Sequence, residues 1–171
     1  DTLLKSIRKD TGFITIMMVN NEIGTIQPIS ELASIASEHN IPFHSDTVQA
    51  LGKIPLLVDE LNCDFLSFSA HKFYGPKGVG FLYKKKSKEI KSLTIGGSQE
   101  SGYRAGTENI SGIVGLAVAT KLIKENLPKR IDHLKHLEKR FKENLNNFNS
   151  KILYNGHPKI RVPGLISMTI P

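Results

Sequence analysis

At 171 residues, with 39% hydrophobic, 23% charged and 7% aromatic side chains, the chain holds enough apolar material for the core of one domain, which excludes intrinsic disorder. Its 14 glycines and 8 prolines sit singly or in short clusters, which excludes collagen-like and low-complexity classes. The net charge of +7 is concentrated partly in Lys84, Lys85, Lys86, Lys88 and Lys91, a run that reads as a solvated loop rather than a nucleic-acid surface, since no aromatics are interleaved with it.

No stretch approaches the roughly 20 apolar residues of a membrane span, and the first residues lack the apolar core of a signal peptide. The single cysteine, Cys63, can form no internal disulfide and no thiolate-rich zinc site. A cytoplasmic chain with neither membrane nor direct nucleic-acid partners is the expectation.

The LLKSI segment at the start is helix-like. Residues 13–19, FITIMMV, form a β-favouring run that ends in Asn20, Asn21 and Glu22, as suits a strand buried on both faces and followed by a loop. Leu32, Ile35 and Ala36 lie at helical spacing after Pro28, with Ser30 placed to cap the first turn and Asn40 to end the helix. Residues 41–44 predict a second strand, and Ser45, Asp46 and Thr47 stand where it ends and a helix begins. A third strand over 64–68 and a fourth over 79–83 flank SAHKFYGPKG and can pair as antiparallel neighbours. Strands alternating with helices predict an α/β fold with a mostly parallel sheet covered on both sides, where ligands gather at the carboxyl ends of the strands.

After the glycine-rich stretch 96–106, residues 110–123 predict a packed helix. Pro128 breaks or kinks the path, and Ile131, Leu134, Phe141 and Leu145 continue a second amphipathic helix to about Asn147. Two short apolar runs, 151–154 and 165–170, read as strands with too few partners for a domain. There are no internal repeats. A chain that starts without Met and stops in mid-fold is expected to be part of a longer protein.

Four clusters at strand ends can carry chemistry. Lys72, in Ser69-Ala70-His71-Lys72, follows a buried strand, where a neutral amine would be a nucleophile toward carbonyl compounds; the plain alternative is a loop lysine that reaches water. Asp46 needs a cationic or donor partner at the end of an interior strand, for which a protonated pyridine nitrogen would serve; alternatively it caps the following helix. His44 and Asp46, two apart on one face, also have metal-ligand spacing, and with His71 they define a rival reading as a metal-dependent hydrolase. Asn20-Asn21 reads as a turn or as a ligand contact. Glycines beside Arg104 and Thr107 would suit a phosphate, whereas residues 75–80 lack the spacing of a nucleotide-binding loop.

The segments MMVNNEIGTIQPI, FHSDTVQALGKIP, DFLSFSAHKFYGPKGVGFLY and GGSQESGYRAGTENISGIVGLAVA occur in an order that resembles the cysteine desulfurases, fold-type I enzymes of the class V aminotransferase group, over most of residues 13–119. The resemblance implies pyridoxal 5′-phosphate as cofactor and Lys72 as its Schiff-base residue, with Asp46 on the ring nitrogen and Gln49 on the phenolic oxygen. Ser69 and His71 match phosphate-binding positions. Asn21 matches a position near the phenolic oxygen and substrate carboxylate, and Thr107 one that reaches the phosphate of a neighbouring subunit, which implies a homodimer.

The implied reaction turns L-cysteine into L-alanine and passes the sulfur to a separate enzyme cysteine, serving iron–sulfur clusters and tRNA thiolation through sulfur-acceptor or scaffold proteins. A selenocysteine lyase is the nearest alternative within the group. No residue here matches the acceptor cysteine, Cys63 being read as structural. Ser101 stands where the family carries an arginine after QE, while Arg104 keeps its place. The implied organisation is the C-terminal half of a cofactor-binding large domain over 1–125, then a linking helix and the start of a small domain over 126–171, inactive by itself.

Overall fold

The computed structural model describes residues 2–148 and 151–171. A short helix α1 (Thr2–Ser6) precedes β1 (Ile14–Met17), α2 (Ile29–Glu38), β2 (Phe43–Asp46), β3 (Phe65–Ser69) and β4 (Gly80–Lys84), followed by the long helix α3 (Ile110–Phe148) and the two-residue strands β5 (Leu153–Tyr154) and β6 (Met168–Thr169). The main sheet has the order β1-β2-β3-β4. Its first three strands are parallel and β4 runs antiparallel to β3, with Ser69 opposite Gly80. The expected α/β class and the antiparallel fourth strand are thereby found.

Alternation along the strands sends Ile14, Phe43, Leu66 and Phe68 to one face, where they meet Ile29, Ala33 and Ala36 of α2 in one apolar cluster. Phe43 and Leu66 are at most 1% exposed, so each contributes roughly 1.5–3 kcal/mol of burial. The other face carries Thr15, His44, Phe65, Ser67 and Leu82. Among the described residues no helix covers it: Thr15 and Leu82 are exposed, and a shallow groove of about 330 Å³ runs past Phe13, His44, Phe65 and Ile90. Coverage on both faces, expected from the sequence, is thus found on one.

Local chemistry departs from expectation at three further places. Ser30 is not a cap but lies inside α2, where its hydroxyl donates to Glu60 O at 2.9 Å; the helix begins two residues earlier, at Ile29, which supplies a buried anchor. After β2 the chain makes consecutive turns instead of a helix, with Ala50 N donating to Thr47 O and Ile54 N to Ala50 O. Gly52, at φ +81°, forces that path, and a Cβ there would press on Phe73 and Ile123 at 3.0 Å each.

Pro128 lies within α3, which runs unbroken for 39 residues. A mid-helix proline forfeits a hydrogen bond, at about 3 kcal/mol, and tethers on both sides offset it. Before the proline, Ala119 and Ile123 pack on Ala70 and Phe73; after it, Glu138 accepts the Gly164 N–H at 2.9 Å and pairs with Lys142 at 2.5 Å. The tail folds back onto the loop after β1 through Val162 N to Gly24 O and Ile26 N to Ile160 O, and β5 and β6 pair antiparallel. No helix among the described residues is long and apolar enough to cross a membrane.

Candidate functional site

Because β1, β2 and β3 are parallel, their carboxyl ends open on one edge of the sheet, and the clusters of residues 20–22, 46–49 and 69–72 all emerge there. Asn20 acts as the turn residue: its Oδ1 accepts the N–H groups of Glu22 and Ile23, both at 2.9 Å. Asn21 is left exposed with its amide uncommitted.

Asp46 ends β2 with its backbone carbonyl held by Met18 N at 2.9 Å. One carboxylate oxygen, Oδ1, accepts from Val48 N at 2.9 Å, and the other takes no hydrogen bond among the described residues. One oxygen thus braces the turn, the helix that the capping reading expects does not form, and the other oxygen is left free for a ligand. Next to it Thr47, fully buried, donates its hydroxyl to Ser67 O at 2.7 Å. That bond ties the turn to β3 and so fixes the backbone from which the carboxylate projects. Gln49, 8% exposed, accepts the ammonium of Lys53 at its Oε1.

The third strand delivers Ser69 and then a single 3₁₀ turn, Ala70–Phe73. Ala70 and Phe73 are its buried anchors, which leaves His71 and Lys72 on the outer side, both exposed. Ser69 Oγ and His71 Nδ1 lie 2.9 Å apart. The turn closes on Gly75, whose N–H donates to Ala70 O at 2.9 Å and where a Cβ would stand 2.7 Å from that of Ala70. Lys72 is exposed, as the loop reading expects, and no burial of the kind that the reactive-amine reading invokes is found around it among the described residues.

Thr107 stands apart from these residues. It lines a cleft of about 610 Å³ beside β4, with Gly78, Gly80, Tyr103, Arg104 and Asn109. The preceding turn holds Glu100 and Ser101 in left-handed conformations, φ 49° and 56°.

The three residues of the hydrolase reading are not brought together. His44 has both ring nitrogens engaged, Nδ1 with Thr15 Oγ1 at 2.7 Å and Nε2 with Ser67 Oγ at 3.2 Å, while His71 pairs with Ser69. No group of three His, Cys, Asp or Glu placed to hold a metal occurs among the described residues. Burial holds His44 below the ordinary histidine range, against a smaller upward pull from Asp46. Cys63 is buried and its thiol is pushed up to about 12 by desolvation, with Asp64 adding to the effect.

The donor set at the sheet edge suits pyridoxal phosphate chemically: an amine for its aldehyde, a free carboxylate oxygen for a ring N–H, an amide, and a hydroxyl–imidazole pair for a phosphate. Sequence reading passed over the side chains behind this edge. Thr15 and Lys53 carry no motif of their own, although the four-residue step from Gln49 to Lys53 could have flagged the second. Arg130 reaches the Tyr74 ring only through the packing of α3, its guanidinium carbon 4.4 Å from the ring centroid.

Comparison with known proteins gives a consistent picture. The model of the aminotransferase class-V family matches residues 1–171. A protein named cysteine desulfurase IscS from Dictyoglomus turgidum is 50% identical over 169 residues, covering 99% of this chain and 43% of the relative. One of the same name from Methanosarcina thermophila is 48% identical over 169 residues, covering 99% and 42%. A solved structure titled NifS-like protein superposes with a TM-score of 0.89 at 40% identity, over 95% of this chain and 44% of that one. The chain spans less than half the length of these relatives.

Proposed function

Since the chain belongs to the aminotransferase class-V family, we propose that it is part of a pyridoxal-phosphate-dependent cysteine desulfurase that turns L-cysteine into L-alanine and passes the sulfur to an enzyme cysteine. The observation that carries this reading is the convergence of Lys72, Asp46, Gln49, Ser69 and His71 on one edge of a parallel sheet, in a chain half identical to a protein named for that activity.

When bound, pyridoxal phosphate supplies an aldehyde that captures amines and a ring that delocalises negative charge. Lys72 would hold it covalently, then carry the proton to and from the substrate Cα as a general base. The free oxygen of Asp46 would keep the ring nitrogen protonated, its partner oxygen being fixed on Val48 N. Gln49 would donate its amide to the phenolic oxygen, and Ser69 with His71 would bind the phosphate. Asn21 would orient the substrate carboxylate. Thr107, on its own cleft, would serve the site of a second copy, so the active form in this reading is a homodimer.

Cys63 takes no part, because a thiol pushed up to about 12 supplies almost no thiolate near neutrality. Sulfur-acceptor or scaffold proteins, iron–sulfur cluster and tRNA thiolation, and a cytoplasmic setting complete the proposal. So does a division of the chain near residue 125: β1–β4 lie wholly before that point and β5–β6 wholly after it.

The test is covalent. Protein incubated with pyridoxal 5′-phosphate and reduced with borohydride is expected to carry one cofactor on the peptide containing Lys72, and Lys72→Ala to lose it. The whole protein is expected to form alanine and sulfide from cysteine only with the cofactor present. Attachment at another lysine, or undiminished labelling of the variant, overturns the assignment.

A further inference from the structure

Behind the strand-end edge, three cations gather without an acidic counterpart. The turn carrying Lys53, the 3₁₀ turn carrying Lys72 and helix α3 meet at one point, where Gly52 lies against Phe73 and Ile123. Lys53 is half-buried and its hydrogen bond goes to a neutral amide, Gln49 Oε1. Two turns along α3 from Ile123, Arg130 is also half-buried, lies over the Tyr74 ring at 4.4 Å, and has its Nε buried without an acceptor. None of the ion pairs among the described residues involves Lys53, Lys72 or Arg130.

Half-buried cations are costly unless an anion compensates them. Burial lowers the Lys53 ammonium from its ordinary value, and the positive fields of Lys72 and Arg130 lower it further, so both neighbours act on the Lys53 charge. No hydrogen bond or ion pair among the described residues occupies the guanidinium fork of Arg130, and such a fork can grip two oxygens of one anion. Tyr74 reaches that place only in a left-handed conformation, φ 68°, a strain that surrounding structure must hold in place.

We propose that Lys53 and Arg130, flanked by Lys72, form a binding site for a small oxyanion of the phosphate class at the seam between the 47–53 turns, the 70–73 turn and α3. The site uses neither Ser69 nor His71; Lys72 and Gln49, which the proposed function gives to the cofactor, border it, and its test is made without the cofactor. Arg130 supplies the planar fork and Lys53 the second charge, with Gln49 fixing the position of the latter.

Inorganic phosphate titrated into cofactor-free, nitrogen-15-labelled protein, at ionic strength held constant with chloride, provides the test through the Arg130 Nε–H resonance. A saturable shift is expected, with Lys53→Gln and Arg130→Lys each weakening the affinity about tenfold, as loss of one charge-assisted contact does, and Lys86→Gln, in the exposed basic run, leaving it unchanged. Arg130→Lys keeps the charge and the helix, so its effect reads the fork and not the fold. Three results would overturn the site: a resonance that does not move, a shift that chloride alone reproduces, or weakening by Lys86→Gln but not by Lys53→Gln. Failure of pyridoxal 5′-phosphate to attach to Lys72 would sink the proposed enzyme and leave this titration intact.

Discussion

Asp46 Oδ1 accepts the Val48 N–H at 2.9 Å, so the carboxylate at the end of β2 has one oxygen spent on its own turn and one free. A side chain fixed in this way can hold a ring N–H with little reorganisation, which is where preorganised electrostatics gains its effect. Asp46→Asn keeps the shape and removes the charge. In the cofactor-loaded protein it is expected to lower alanine formation from cysteine about 100-fold while leaving attachment at Lys72 in place. An enzyme assay paired with the borohydride mass measurement checks both halves, and a variant as active as the parent would refute the role.

His44 bridges β1 and β3 through the hydroxyls of Thr15 and Ser67. Burial depresses its folded-state value below the ordinary 6.5, so on acidification the unfolded chain takes up this proton before the folded one. Its contribution is complete above about pH 6.5 and is lost as the pH falls from there through the lower folded value. Melting temperatures of the parent and of His44→Gln, measured from pH 7.5 down to pH 5, are expected to converge toward the acid end. At neutral pH the variant is expected to lose about 1–2 kcal/mol from the two hydrogen bonds. Parallel curves would contradict the burial argument.

Cys63 is 3% exposed and its thiol is pushed up to about 12. Alkylation by iodoacetamide at pH 8 is expected to be slow in the folded protein and fast in denaturant, since thiolate is the reacting form. Rapid labelling of the native state, followed by mass spectrometry, would show the site to be open.

Gly80 stands opposite Ser69 in the antiparallel pair, and a Cβ there would lie 2.4 Å from Phe68 O. Backbone, not a flexible side chain, is what it would strike. Gly80→Ala is expected to destabilise the protein by about 1–3 kcal/mol and to disturb the Ser69–His71 pair at the same edge. Denaturant unfolding measures the first effect, and cofactor affinity measures the second.

Much of this architecture was legible in local pattern. The apolar run before Asn20, the short strand ending at Asp46 and the strand ending at Ser69 each stand within a residue or two of where the sequence puts them, because short β-favouring runs bounded by polar turn residues mark their own limits. The site cluster was legible for the same reason, as polar residues directly after such strands must lie at their carboxyl ends. Pro128 was misread because a local helix penalty is visible in sequence, whereas the Tyr74, Glu138 and Gly164 contacts that outweigh it are not. Ser30 was misread as a cap because its partner, Glu60 O, lies thirty residues away.

From its residues alone this protein had its fold class, the antiparallel pairing of its third and fourth strands and the side chains at the strand ends already determined, since these follow from periodicity and the chemistry of chain reversal. Tertiary structure decided what those ends share: which oxygen of Asp46 stays free, that Lys72 and Arg130 both act on the Lys53 charge, and that one sheet face stands uncovered among the described residues. Such relations depend on distances between segments far apart in the chain, and no local preference encodes a distance of that kind.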